Sequence, residues 1–285
     1  MFAEVNGTRL FFDVEGAGVT VEGGALVKKD VCFVLHGGPG GTHLGFKPYL
    51  SPLAEDLQLV YIDNRGSGFS ATGPVETYTL DQNIEDIEAL RQHLGLEQIV
   101  LFGHSYGGMT AMAYAARYPK NVKALLLSAT SPSYRFLDKA KQYVERHGTA
   151  EQKEMAQLLW DGAFSSDAEV AHYYEVMAPL YSRKTADGKA EPRPEMNRSY
   201  EALNQGFGGF LRNYDLTEDL KTLQCPALVS AGRHDWITPV EENELIAELL
   251  PNSEFVVFED SSHGILKDQH EDFINTVREF IRNSV

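Results

Sequence analysis

Residues 98–108 read Gln-Ile-Val-Leu-Phe-Gly-His-Ser-Tyr-Gly-Gly, and this stretch decides the fold. Residues 98–102 are a short apolar run, which fits a strand buried on both faces, as in a parallel sheet. A Gly-x-Ser-x-Gly turn follows, and a helix runs from 106 to the stop at Pro119. A serine between glycines on a sharp strand-to-helix turn is the pattern of a nucleophile elbow. Small residues must flank it because the turn is tight. The Ser105 hydroxyl then stands at the carboxyl end of the sheet, beside the N-terminus of the next helix.

Working outward, similar apolar runs occur at 8–14, 31–35, 57–63, 122–128, 226–231 and 254–258. Helical patterns lie between them. Residues 79–94 put Leu80, Ile84, Ile87, Leu90 and Leu94 on one face. Thr79 with Gln82 predicts a capping box there, and Gly95 suits the position after the last turn. Thr238 with Glu241 predicts a second capped helix, with Pro239 as its first residue. Residues 267–282 read as one closing helix, with Phe273, Ile274, Val277, Phe280 and Ile281 on one face. Alternating buried strands and helices imply an α/β fold, a mostly parallel twisted sheet with helices on both faces. Residues 131–215 break the alternation with helical, aromatic segments and a polar stretch at 182–199. They read as a helical cap inserted into a core made of 1–130 and 216–285.

A serine hydroxyl needs a base to take its proton. His263 lies between the last strand and the last helix, at the same sheet edge as Ser105. His36 reads as a brace for the glycine-rich turn, and His104 as locked in the elbow, unable to face the serine. The acid belongs between serine and histidine in the chain. Asp235 follows the 226–231 strand, whereas 128–134, the other usual place, hold no carboxylate. An acyl-transfer site also needs donors for a developing oxyanion. The backbone N–H of Tyr106 is one. Gly38, in the His-Gly-Gly-Pro-Gly loop after the 31–35 strand, is the other. In this reading Ser105 attacks a carbonyl, His263 shuttles the proton and Asp235 orients His263. No cofactor and no metal is required, and no metal-ligand spacing is present.

Composition sets the outer bounds. The chain has 285 residues, 43% hydrophobic and 23% charged, which excludes a disordered chain. The net charge is −16 and the pI about 5.0, which argues against nucleic-acid partners and anionic membranes. Two cysteines in apolar segments, Cys32 and Cys225, imply buried thiols. No secretory leader and no run of about 18 apolar residues is seen, so a cytoplasmic protein is expected and the sequons at Asn6 and Asn197 carry no meaning. Residues 66–71 match G-x-G-x-x-A after a strand, but no helix opens there, and nucleotide binding is set aside.

The stretches HGGPGG, YIDNRGSGFS, GHSYGG, GRHDWITP and DSSHG together resemble the α/β-hydrolase superfamily along the whole chain. The first two are most similar to its proline iminopeptidase branch. That resemblance implies an α/β-hydrolase fold with a helical cap, Ser105, Asp235 and His263 as triad, and Gly38 and Tyr106 as oxyanion hole. It also implies cleavage of N-terminal residues, notably proline, from short peptides. Members hold the substrate amine with glutamates, one of which commonly follows the triad aspartate. Here that position is Trp236, and 204–210 carry no acid. A neutral aromatic pocket touching substrate through Trp236 suits an apolar acyl or alcohol group. The expected function is therefore a serine hydrolase for a small ester, amide or short peptide. The alternatives are a proline iminopeptidase using Glu175, Glu195 or Glu201 for the amine, and a receptor-like relative with slow turnover. The sequence leaves the oligomeric state open.

Overall fold

The computed structural model describes residues 1–188 and 198–285; Glu195 and Asn197 lie outside them. The strands are β1 (Phe2–Val5), β2 (Thr8–Glu15), β3 (Val19–Glu22), β4 (Ala25–Lys28), β5 (Val31–Leu35), β6 (Gln58–Ile62), β7 (Ile99–His104), β8 (Val122–Ser128), β9 (Ala227–Gly232) and β10 (Ser253–Phe258). The helices are α1 (Leu80–His93), α2 (Tyr106–Arg117), α3 (Phe136–His147), α4 (Ala150–Asp161), α5 (Asp167–Tyr181), α6 (Arg183–Ala186), α7 (Tyr200–Phe207), α8 (Thr217–Leu220), α9 (Val240–Leu249), α10 (Ile265–Asp268) and α11 (His270–Ser284). No helix among the described residues is long and apolar enough to cross a membrane.

Eight strands form one sheet in the order β1-β2-β6-β5-β7-β8-β9-β10. β1 and β2 pair antiparallel, as do β2 and β6; every other neighbour is parallel. Side chains alternate across this sheet because successive strand residues point to opposite faces. Phe33 and Leu35 pack with Ile84, Ile87, Met112 and Ile246 from α1, α2 and α9. Cys32 and Val34 pack on the other face with Phe273, Val277 and Phe280 of α11. Both faces are thus covered, which is why these strands read as unbroken apolar runs.

The order reverses at β5, which has β6 on one side and β7 on the other. Connections leaving β5 and β7 diverge there, so a crevice opens at their carboxyl ends. Helices α3, α4, α5 and α7 lie over it in a third apolar cluster, where Phe136, Leu159, Trp160, Tyr173 and Phe207 meet Tyr106, Met109 and Trp236 of the core.

Four local readings are corrected. β1 and the β3–β4 hairpin were not expected. The hairpin turns at Gly23 and Gly24, both at positive φ, and Val21 and Leu26 are exposed on it, so it has no buried face to reveal it. Thr79 accepts from the Gln82 N–H as expected, but Thr238 does not cap α9. That helix starts at Val240 with Pro239 before it, and the Thr238 hydroxyl donates to Asp235 instead. The closing helix is two, broken at Gln269, whose φ of −130° and ψ of 57° are not helical. Its side chain accepts from the Asp260 N–H and the Ser261 hydroxyl, which competes with helix continuity.

The elbow glycines are required by close approach. A Cβ on Gly107 would lie 2.1 Å from the Leu35 carbonyl oxygen, so α2 could not sit on β5. Gly107→Ala is expected to cost at least about 3 kcal/mol, the upper range for overpacking. Gly73→Ala, with nothing within 4 Å, is expected to stay within about 0.5 kcal/mol. Urea unfolding of the two variants checks the contrast.

Candidate active site

Ser105 sits between β7 and α2 with φ 56° and ψ −122°. A non-glycine residue at positive φ is strained by about 1–3 kcal/mol and persists only where its surroundings fix it. Its N–H donates to the Ser128 carbonyl at 3.0 Å, and its own carbonyl accepts from the Thr130 hydroxyl at 2.7 Å and the Gly108 N–H at 2.9 Å. The backbone is thereby pinned on both sides, and the side chain is left to line a cavity. Tyr106 opens α2; its ring is buried, and its hydroxyl accepts from Asn83 at 2.7 Å. Its N–H belongs to the first turn of α2, where backbone donors have no helical partner.

His263 lines the same cavity. Its Nδ1 lies 2.7 Å from Asp235 Oδ2. A carboxylate only accepts, so Nδ1 carries the proton in this bond. Asp235 is fully buried and fully bonded. Oδ1 accepts from the N–H groups of Ile237 and Thr238 at 2.9 and 3.0 Å, and Oδ2 also accepts from the Thr238 hydroxyl at 2.9 Å. The histidine loop is held as firmly. Gly264 N–H donates to the Tyr181 carbonyl at 2.8 Å, and the Ser262 hydroxyl donates to the Leu180 carbonyl at 2.5 Å. Asp268 accepts from Ser262 N–H at 3.0 Å, from the Ser182 hydroxyl at 2.6 Å and from Arg183 N–H at 3.0 Å. This carboxylate ties the loop to the start of α6.

The glycine-rich loop after β5 faces Ser105. A Cβ on Gly37 would lie 3.2 Å from the Ser105 Cβ, so only glycine lets the two chains come this close without a shift. Gly38, at φ +122°, lines the cavity beside it. His36 braces the loop, as expected. Its Nδ1 is 2.8 Å from the Gly37 carbonyl, and Nε2 accepts from Asn64 N–H at 3.1 Å. Burial holds its pKa below the usual histidine value. Asp63, with no side-chain exposure, accepts from His43 N–H at 2.7 Å, from His43 Nδ1 at 2.9 Å and from Phe69 N–H at 3.0 Å. Burial raises its carboxyl, but the bonds from His43 outweigh that and keep it below the usual range.

One placement, that of Trp236, differs from the sequence reading. The His104 ring lines the cavity, 4.7 Å from the His263 ring between centroids. Burial, then His263 and Lys267 nearby, hold its pKa well below the ordinary value. Trp236 does not line the cavity. It is 1% exposed and packs edge-on against Trp160 and Tyr181, one layer behind the wall. Ile237 and Thr238 take the place expected for it. The sequence reading also passed over Asp63, Asp268, Arg198 and Lys267. Asp63 stood inside the quoted YIDNRGSGFS motif, and its proximity to the glycine-rich loop was the available signal.

The cavity encloses about 180 Å³. Its apolar wall includes Phe46, Met109, Phe136, Leu159, Phe207 and Leu211. Arg198 and Lys267 also line it, and among the described lining residues there is no aspartate or glutamate.

A strained serine and a carboxylate-paired histidine lining one cavity, at the crevice of an open α/β sheet, fit a hydrolase of the α/β class. The chain belongs to the α/β-hydrolase fold family, whose model matches residues 31–269. Its sequence is proline iminopeptidase-like. It is 30% identical to the proline iminopeptidase PfmaB of Pestalotiopsis fici, over 97% of each chain. It is 32% identical to the proline iminopeptidase of Clostridioides difficile, over 87% of this chain and 88% of that one. Among solved structures, an esterase from Exiguobacterium antarcticum superposes with a TM-score of 0.71 at 21% identity, covering 99% of this chain and 98% of the other. An α/β hydrolase from Bacillus anthracis gives 0.77 at 17%, covering 100% and 98%. At those identities the likeness is one of fold.

Burial lowers the pKa of His36 and His104 in the fold, whereas the unfolded chain takes up protons near pH 6.5. Lowered folded-state pKa values stabilise above pH 6.5 and cost stability as pH falls below it. Unfolding free energy is expected to drop from pH 6.5 to 5.5, and His36→Gln to shrink that drop. Urea titrations at both pH values measure it.

Proposed function

We propose that the protein is a serine hydrolase that cleaves an ester or amide carrying an apolar acyl group. Ser105 is the nucleophile, His263 the general base and then acid, and Asp235 the group that fixes the histidine tautomer and stabilises its cation. The Gly38 and Tyr106 N–H groups receive the oxyanion. Water then hydrolyses the acyl-enzyme, with no cofactor. Residues 131–215 act as the cap that closes the apolar cavity over the substrate.

The cavity wall carries this reading. Ser105 and His263 share it, apolar side chains make most of it, and none of its described residues is a carboxylate. Burying a substrate ammonium there costs several kcal/mol without a partner. An ester or a blocked amide avoids that cost.

A second reading, a proline iminopeptidase, is favoured by identities of about 30% with proteins of that name over most of the chain. It requires an acid at the substrate amine. Glu175 is 79% exposed at its side chain, within 3.7 Å of His172, and Glu201 does not line the cavity. Glu195 lies outside the described residues.

Ser105→Ala is expected to lower turnover about 10³-fold or more, and Asp235→Asn about 10³–10⁴-fold through the wrong tautomer. Asp260→Asn and Glu259→Gln are expected to cost far less. Steady-state rates on a short-chain aryl ester test all four, and a crippled Asp260→Asn would reassign the acid.

The two readings part on one matched pair. Between a prolyl arylamide and its N-acetylated form, kcat/KM is expected to differ by less than about tenfold. A preference of a hundredfold or more for the free amine gives the site to the second reading.

A further inference from the structure

A general base must be held within hydrogen-bond reach of the proton it takes. His263 stands on a loop, where no sheet ladder fixes the chain. The residues on either side of it bond to the overlying helical layer. Helix α5 ends at Tyr181, and the chain is extended at Ser182 before α6 begins. The last carbonyls of a helix have no partner within it. Here those of Leu180 and Tyr181 accept from the Ser262 hydroxyl at 2.5 Å and the Gly264 N–H at 2.8 Å. A Cβ on Gly264 would lie 3.0 Å from the Tyr181 carbonyl oxygen, so the two segments meet backbone to backbone.

Asp268, the last residue of α10, closes the same joint. Its Oδ1 accepts from the Ser182 hydroxyl at 2.6 Å and the Lys184 N–H at 3.2 Å. Its Oδ2 accepts from the N–H groups of Arg183 and Ser262, both at 3.0 Å. One carboxylate thus holds the start of α6 and the residue before His263 together. Tyr181 adds a contact to the imidazole itself. The two ring centroids are 5.5 Å apart at 66°, an edge-to-face pairing that aromatic rings favour. Tyr181 is fixed in turn by an edge-on contact with Trp236 at 5.3 Å and by its hydroxyl, 2.9 Å from that of Tyr173. The imidazole therefore meets Asp235 at Nδ1, and Tyr181 and His104 through its ring. Tyr181 lines the cavity, whereas Asp268 does not.

We propose that the end of α5 belongs to the machinery that positions His263, with Tyr181 and Asp268 as positioning residues for the reaction. This rests on the hydrolase reading given above and deepens it. The Tyr181 ring keeps the imidazole turned to Asp235, and Asp268 keeps the histidine loop docked on the layer that carries Tyr181. Seating of that layer and readiness of the base are then one event. The general base is incomplete without residues from the overlying helices, although its own loop and its aspartate come from the sheet.

Two readouts on the full chain test the proposal. The first needs no turnover: the downfield proton NMR resonance of His263 Nδ1–H, assigned by its loss in His263→Gln. Asp268→Asn puts an amide NH2 where N–H donors converge, and Tyr181→Leu removes the ring edge. Both are expected to shift or broaden the resonance. Tyr181→Phe keeps the ring and is expected to preserve it. Lys139→Gln is the control. It breaks another tie between the overlying helices and the core, the 2.7 Å pair of Lys139 on α3 with Glu242 on α9, and is expected to leave the resonance alone. The second readout is kcat and KM on a short-chain aryl ester. Asp268→Asn and Tyr181→Leu are expected to lower kcat about 10–100-fold, as a base displaced by a fraction of an ångström would. KM for Asp268→Asn is expected to stay within about threefold. Tyr181→Phe is expected to restore kcat. An unchanged resonance or an unchanged kcat in Asp268→Asn and Tyr181→Leu overturns the proposal. So does a loss confined to KM, or an equal loss in Lys139→Gln. If Asp268→Asn does not fold, Ser262→Ala, which removes only the hydroxyl bonded to Leu180, decides in its place by the same two readouts. Failure of a fluorophosphonate to label Ser105 in the wild-type protein removes the hydrolase reading alone, since the resonance reports His263 without turnover.

Discussion

The backbone of Ser105 is the constraint on which the site depends. A left-handed conformation at a residue with a side chain is disfavoured on its own. It is held here because β7 must end and α2 begin within a single residue. Gly103 and Gly107 make that possible by letting backbone meet backbone: a Cβ on Gly103 would lie 2.3 Å from the Gly107 carbonyl oxygen. With α2 pressed onto β5, the glycine-rich loop leaving β5 has nowhere to go but across the face of Ser105. The reversal of strand order at β5 then leaves the crevice open above both. Sheet topology, helix packing and the exposed hydroxyl are thus consequences of one tight turn.

Around that turn, three aspartates do the same physical work on three loops. Asp63 gathers donors from the segment after the glycine-rich loop, Asp235 from the turn after β9, and Asp268 from the histidine loop and the start of α6. A carboxylate accepts several N–H bonds at once, and bonds to a charged acceptor are worth about 1.5–3 kcal/mol each. A loop at a sheet edge has no ladder to fix it, so this is an efficient way to hold it still. It also means that these acids are turned towards backbone donors, and none of the three lines the cavity. The absence of carboxylates from the described cavity wall is consistent with this division of labour.

Much of this was legible in the sequence because it obeys short-range rules. The apolar runs, the elbow and the order serine, aspartate, histidine each carry their signal within about ten residues. What was missed depends on partners far along the chain. The β3–β4 hairpin buries no face against the core, so no period announced it. Thr238 and Glu241 have the spacing of a helix cap, but a threonine three residues past a buried aspartate donates its hydroxyl to that charged acceptor instead of accepting from the first N–H groups of α9. The 267–282 segment has an unbroken apolar stripe; Gln269 breaks it by bonding to the loop before His263, a contact invisible from the stripe itself. Arg198 and Lys267 lie 69 residues apart, and only the closure of the helical layer over the core brings them to one cavity.

Trp236 shows how an inference from a resemblance passes through packing before it reaches chemistry. The proline iminopeptidase pattern suggests an acid after the triad aspartate, and the indole at that position was read as a substrate contact. The two turn N–H groups that follow it bind Asp235, and this pulls the side chain of Trp236 backwards, between Trp160 and Tyr181. Its indole Nε1 is buried with no hydrogen-bond partner among the described residues, a cost of about 1–3 kcal/mol offset by the large apolar area of the ring. The position therefore belongs to the packing between the overlying helices and the core, and the cavity wall is made by residues one layer nearer, among them Ile237 and Thr238. Sequence identity spread over the whole chain follows the scaffold, whereas substrate choice follows those few side chains.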